Sequence, residues 1–190
     1  MMNQISTRLL EIVNALPLKE GVRVLEIGCG PGAMAREISR RIGNGHILAI
    51  DRSAKAIQQA ISSSQTEIES GRLSFRQIPI EKFELEPNEI PIDIAIAVRV
   101  GALDGRHPKL EKQSLQNIAK ALTKNGKLFI DGGNPIKEIS LDKYRKRECS
   151  QNCKCRMYNT LLSTPLQPKR DSIPVFICPI SSCPVTCPSG

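Results

Sequence analysis

Apolar residues recur at helical spacing at Ile5, Leu9, Ile12, Val13 and Leu16, and this pattern predicts an N-terminal helix that Pro17 and Gly21 close. A short apolar run over residues 22–27 leads into Gly28, Gly30 and Gly32. Behind them Met34, Ile38 and Ile42 repeat every fourth residue up to a stop at Gly43. The order is strand, glycine loop, helix. Residues 46–51 predict a second apolar strand, and Ser53 is placed to cap a helix whose inward face is Ala54, Ile57 and Ile61. Residues 73–78, 92–98 and 127–131 predict three more strands, with a helix through Leu115, Ile118, Ala119 and Leu122 between the last two.

Strands alternating with helices predict an α/β fold: a doubly wound, mainly parallel sheet covered on both faces, with the N-terminal helix packed on it. The ligand of such a sheet lies beyond the carboxyl ends of the strands, where the winding reverses. Glu26, Asp51, Ile80 and Arg99 all fall at or just past a strand end, so one cleft is expected to gather them. After Asp142 the periodicity fades and Pro165, Pro168, Pro174, Pro179, Pro184 and Pro188 interrupt the chain. Residues 1–142 are expected to form the domain, and residues 143–190 a Cys/Pro-rich, basic, poorly structured tail in which only residues 175–177 read as strand. No convincing strand pair follows the fifth strand.

At 190 residues and 40% hydrophobic, the chain suits one core and is too short for a cofactor domain plus a full substrate domain. Arg8, Glu11 and Lys19 interrupt the first 20 residues, which excludes a secretory signal, and no run reaches the roughly 18 apolar residues of a membrane helix. A soluble cytoplasmic protein without a membrane partner is expected. The net charge of +8 divides unevenly: residues 1–142 carry 19 Lys and Arg against 17 Asp and Glu, and residues 143–190 carry 8 against 2. The domain is nearly neutral, so it gives no indication of nucleic-acid binding. Six of the seven cysteines (Cys149, Cys153, Cys155, Cys178, Cys183, Cys187) crowd the tail without C-x2-C pairs or a nearby His. Free thiols are expected there ahead of zinc or disulfides, and no metal site is assigned.

Glycines without Cβ atoms let the backbone turn sharply and approach a ligand, while free N–H groups of the following helix point at it. Glu26, at the end of the first strand, would repel a pyrophosphate and attract an ammonium or sulfonium group. Gly28, Gly30 and Ala33 also satisfy the looser dinucleotide pattern G-x-G-x-x-[G/A], with Asp51 about 20 residues on, so a nicotinamide-binding oxidoreductase stands as an alternative. Glu26 and the missing substrate domain oppose it.

The segment Leu25-Glu26-Ile27-Gly28-Cys29-Gly30-Pro31-Gly32, then Asp51, then residues 122–130, resembles in content and order the class I S-adenosylmethionine-dependent methyltransferases over roughly residues 1–142. The resemblance implies a Rossmann-like fold and S-adenosylmethionine as cofactor. It implies that Glu26 faces the methionine amino group, that the loop carrying Gly28, Cys29, Gly30 and Gly32 borders the cofactor, and that Asp51, followed by Arg52, takes both ribose hydroxyls. Pro79 stands where the family often has an adenine-binding acid, which leaves the Ile80 backbone and Glu81 for the ring. Arg99 opens the loop between cofactor and substrate.

That loop carries Asp104, Arg106 and His107. His107, with Asp104, is the candidate catalytic group for accepting a substrate proton, and Arg106 suits a substrate carboxylate or phosphate. The plainer reading makes Asp104-Gly105 a turn and His107-Pro108 a helix start. The expected function is methyl transfer to an unidentified, small-molecule acceptor. A catalytically inactive relative is the further alternative, raised by the missing final strands. A sulfonium already makes its methyl carbon electrophilic, so no metal is required and the motifs leave the acceptor unnamed.

Overall fold

The computed structural model describes residues 5–145. The expectations for the tail beyond Arg145, including its cysteines and the strand-like residues 175–177, lie outside the described residues. Among the described residues six strands form one sheet in the order β3-β2-β1-β4-β5-β6. They are β1 (Arg23–Ile27), β2 (His46–Asp51), β3 (Leu73–Gln77), β4 (Ile92–Ala97), β5 (Leu122–Asp131) and β6 (Ile136–Ile139). The first five run parallel, and β6 returns antiparallel beside β5. The expected doubly wound architecture is therefore present. The winding reverses between β1 and β4, which places the crevice of the fold above Ile27 and Ala97.

Strand alternation sends β1 side chains to two different cores. Leu25 and Ile27 pack with Leu48, Phe83, Leu115 and Ile118 on one face; Val24 packs with Ile12, Val13, Met34 and Ile38 on the other. The second face is covered by α1 (Thr7–Ala15) and α2 (Ala33–Arg41), with α3 (Ala54–Ser62) and the short α4 (Gln65–Glu69) beyond them; the first face is covered by α5 (Pro108–Ala121). Glu26 shares its face with Val24, and so points under α2.

Helix ends follow local chemistry. Ser6 and Ser53 accept from the N–H groups of Leu9 and Ala56, at 3.4 and 3.3 Å. Pro108 occupies the first turn of α5 with His107 at its cap position, as the helix-start reading requires.

Three expectations are corrected. The inward face of α3 is Ile57 and Ala60, while Ala54 and Ile61 are exposed: in nine residues the stripe is one turn wide, and the small Ala60 fits the contact that Ile61 was expected to make. Leu122 is not a helical residue but the C-cap of α5, its N–H donating to the Ile118 carbonyl, and it begins β5, pairing with Ile92 before the register shifts to Ile94 and Lys127. A Cβ on Gly126 would lie 3.0 Å from the Ile92 carbonyl oxygen, so this irregularity needs a glycine. Finally, the sheet does not stop at five strands. β6 covers the edge of β5, after a connection containing a cis Asn134–Pro135 bond. The described contacts continue past residue 142, because Tyr144 packs against the core and Arg145 donates to the Gly126 carbonyl at 2.5 Å.

Candidate functional site

The glycine loop is fastened to β2 at three points. Gly28 and Cys29 donate their N–H groups to the Ile50 carbonyl at 2.8 and 3.0 Å, and Gly30 donates to Asp51 Oδ2 at 2.9 Å. Asp51 Oδ1 accepts the Ser53 N–H at 2.8 Å. A carboxylate offers about four acceptor positions, so each oxygen retains one for a ligand. Gly28, Gly30 and Gly32 all have positive φ, but for different surroundings. A Cβ at Gly32 would crowd Phe75 and Ala60 at about 3 Å, whereas at Gly30 it would meet nothing within 4 Å. Gly32 serves close packing of the α2 start. Gly30 faces open space.

Under this loop Glu26 is 2% exposed, and its Oε2 has no hydrogen-bond partner. Burial pushes its carboxyl up to about 8, opposed by the Arg36 charge and reinforced by Asp51. Arg36, on α2, is itself buried and donates through Nη1 to the Pro31 carbonyl (3.1 Å), Ser63 Oγ (2.9 Å) and Ser64 Oγ (3.1 Å). It ties the loop to the α3–α4 turn. An orphaned buried carboxyl oxygen is costly to retain in a fold and marks a place for an incoming donor. The Cys29 side chain packs into the core with Met34 and Ile38; burial and the neighbouring acids push its thiol up, so it is an inert thiol rather than a nucleophile.

A cleft of about 460 Å³ opens beyond the carboxyl ends of β1, β2 and β4. It brings together Gly28, Asp51, Arg52, Ile80, Glu81 and Arg99 among the expected cofactor residues, with Arg106 and His107 on the rim. Glu26, Cys29, Gly30 and Gly32 do not line it; they lie beneath or beside its glycine wall. Ile80 is the first residue of a 3-10 turn (Ile80–Lys82), so its N–H has no acceptor within that turn.

The turn is held from behind by Asn117, 2% exposed on α5, whose Nδ2 donates to the Ile80 and Glu81 carbonyls at 3.3 and 2.9 Å. Neither Asn117 nor Arg36 was expected to matter. For Asn117 the available signal is a polar residue among Leu115, Ile118 and Ala119; for Arg36 there is only its place one helical turn after Gly32. We expect Asn117→Leu to cost roughly 1–3 kcal/mol, because it strands the Glu81 carbonyl and takes one of two donors from the Ile80 carbonyl, which keeps the Phe83 N–H, and to weaken any ligand that uses the Ile80 N–H. Thermal melts and ligand titration check both effects.

The loop after β4 separates the other two candidates. His107 lines the first cleft, whereas Asp104 lines a second one of about 640 Å³. Both Asp104 oxygens are engaged by Arg106, through its N–H at 3.0 Å and Nε at 2.6 Å, and these bonds hold the Asp104 carboxyl below its usual range. Asp104 and Arg106 thus close a local turn, and the Asp104 carboxylate acts on His107, on the rim, through charge alone. Arg99, Val100, Gly101 and Arg106 line both clefts, so the two share a wall.

A family described as methyltransferase domain matches residues 18–171 of the chain. The chain is 27% identical over 121 residues to the mitochondrial ubiquinone biosynthesis O-methyltransferase of Dictyostelium discoideum, and 22% identical over 123 residues to the ribosomal protein L11 methyltransferase of Thermosipho melanesiensis. Each alignment covers 60% of this chain but only 36% and 39% of those proteins. A solved structure of an S-adenosylmethionine-dependent methyltransferase from Thiobacillus denitrificans, in complex with S-adenosylhomocysteine, superposes with a TM-score of 0.53 at 21% identity, covering 68% of this chain and 50% of that one. Among the described residues no helix is long and apolar enough to cross a membrane.

Proposed function

The chain belongs to the methyltransferase-domain family, and from that premise we propose that it binds S-adenosylmethionine across the carboxyl ends of β1, β2 and β3 and transfers the methyl group to a small-molecule acceptor. The observation that carries this reading is the buried Glu26 carboxyl with its unpartnered Oε2 under the glycine loop. A pyrophosphate offers that oxygen no donor and would hold the carboxyl in its protonated form. An ammonium supplies the missing donors and an opposite charge.

The geometry supports the remaining assignments. Asp51 has one free acceptor position on each oxygen, suited to two vicinal ribose hydroxyls, and Gly30 leaves room above the loop. Ile50 and Ile78 give an adenine ring apolar contact while the Ile80 N–H and Glu81 meet its polar edge. Arg52 and Arg99 border the cleft from either side. When bound, the cofactor supplies a sulfonium whose methyl carbon is electrophilic. The chain's own task is to hold an acceptor in line at near-attack distance and to exclude water. We assign to His107, exposed at the start of α5 and lining the cofactor cleft, the acceptance of a proton from an acceptor that reaches across the shared wall.

Calorimetric titration with S-adenosylmethionine, S-adenosylhomocysteine and NAD tests the proposal. We expect both sulfur ligands to bind with dissociation constants in the micromolar range, and NAD at least about a hundredfold more weakly, a difference near 2.7 kcal/mol. Preferred binding of NAD would replace the reading with an oxidoreductase, and binding of none would leave a family member without the cofactor function.

A further inference from the structure

The second cleft carries as many cations as anions, but they are unequally paired. Three cations, Arg99, Arg106 and Lys137, and three anions, Asp104, Glu111 and Asp131, line it. Arg106 is spent on Asp104. Asp131 accepts the Arg8 guanidinium on Oδ2 and the Arg99 backbone N–H on Oδ1, each at 3.1 Å. Left without a side-chain partner among the described residues are the Arg99 guanidinium and the Lys137 ammonium, against the single carboxylate of Glu111.

The backbone at Arg99 adds an independent observation. Its φ is +56°, a left-handed conformation that L side chains rarely adopt and that glycine would enter freely. Asp131, at the end of β5, holds this conformation by accepting the Arg99 N–H, and Arg8 from α1 fixes Asp131 in turn. A non-glycine residue kept in such a conformation at the wall between two cavities is a reason to look for a function in its side chain. Lys137 reaches the same cleft from β6, a strand that the sequence did not reveal.

We propose that this second cleft is the acceptor site and that the acceptor is a small molecule bearing an anionic group, a carboxylate or phosphate, held between Arg99 and Lys137. The proposal rests on the methyltransferase reading, since the shared wall at Arg99 to Gly101 is what places an acceptor next to the cofactor cleft. Its volume, about 640 Å³, lies in the range of small-ligand sites. Arg106, which the sequence offered for this task, is already committed to Asp104.

The test is an amide NMR titration of the full chain saturated with S-adenosylhomocysteine, using benzoate, phenyl phosphate and the neutral benzamide as probes. One or both anions should bind at least about tenfold more tightly than benzamide, and should shift the signals of Arg99, Asp131 and Lys137. Arg99→Gln and Lys137→Gln should each lower that affinity about fivefold or more, and Lys120→Gln, on the exposed end of α5, should not. Equal binding of benzamide, or undiminished anion binding by the Arg99→Gln/Lys137→Gln double variant, overturns the proposal. S-adenosylhomocysteine affinity is measured first. Should it be absent, the methyltransferase reading falls, and the same probes added to the unloaded chain still decide whether the cleft takes anions.

Discussion

Replacing Asp51 by alanine is expected to weaken S-adenosylhomocysteine binding at least about a hundredfold while leaving the chain folded. Two losses combine. Ribose hydroxyls buried without an acceptor cost roughly 1–3 kcal/mol. In addition, the Gly30 and Ser53 N–H groups lose the carboxylate that now receives them at 2.9 and 2.8 Å, so the loop is released from the end of β2. The side chain is half-buried at the strand end, and its removal strips little of the core. Asp51→Asn keeps one acceptor oxygen but sets an amide donor against one of those N–H groups, so its affinity should fall between the two. A folded Asp51→Ala variant with undiminished affinity, read by calorimetry with circular dichroism as the folding control, removes Asp51 from the ribose role.

The second large effect is a pH dependence set by Glu26. With its carboxyl pushed up to about 8 by burial, the folded, unliganded chain keeps Glu26 protonated at pH 7. An ammonium-bearing ligand prefers the carboxylate, so binding expels a proton. Affinity should then rise about tenfold per pH unit below 8 and level off above it. Between pH 6.0 and 7.5 that is roughly a thirtyfold gain, and Glu26→Gln should abolish the slope together with most of the affinity.

Stability runs the other way. Because the folded value lies above the ordinary 4.5, the stabilising contribution of the protonated group is complete below about 4.5 and is lost progressively as pH rises toward 8. By pH 7 the loss is on the order of 3 kcal/mol. Glu26→Gln avoids it, so the unliganded variant should melt several degrees higher than the unaltered chain at pH 7 and about equally at pH 4.5. Equal melting temperatures at pH 7, or a binding slope that survives in Glu26→Gln, would show that another group titrates.

Five strands were readable in the sequence because each is an apolar run or, in β3, an apolar-polar alternation with turn chemistry beside it, and the glycine loop because its glycines follow the first of them. The loop's acid and Asp51 were readable because strand ends fix where such side chains emerge. β6 was not: Ile136-Lys137-Glu138-Ile139 is four residues long and places Lys137 and Glu138 in solvent, so it offers no buried alternation. With β6 unseen, the second cleft could not be anticipated, since Lys137 and Ile139 line it. Ile61 was misplaced because a nine-residue helix leaves two apolar registers open, and tertiary contact chose the one through Ala60. Arg36 and Asn117 escaped for a related reason. Their partners are carbonyls and hydroxyls of other segments, and only the folded chain brings these within 3.3 Å.

A crystal structure of the chain with S-adenosylhomocysteine tests the central claim most directly. The ligand's amino group is expected at Glu26 Oε2, both ribose hydroxyls on the Asp51 carboxylate within about 3 Å, and the adenine edge on the Ile80 N–H. Asp51 should keep its present position, while the Glu26 carboxyl or the glycine loop over it shifts enough to open the now buried Oε2 to the ligand. Ligand bound elsewhere, or bound here with Glu26 Oε2 still unpartnered and the ribose turned away from Asp51, would contradict it.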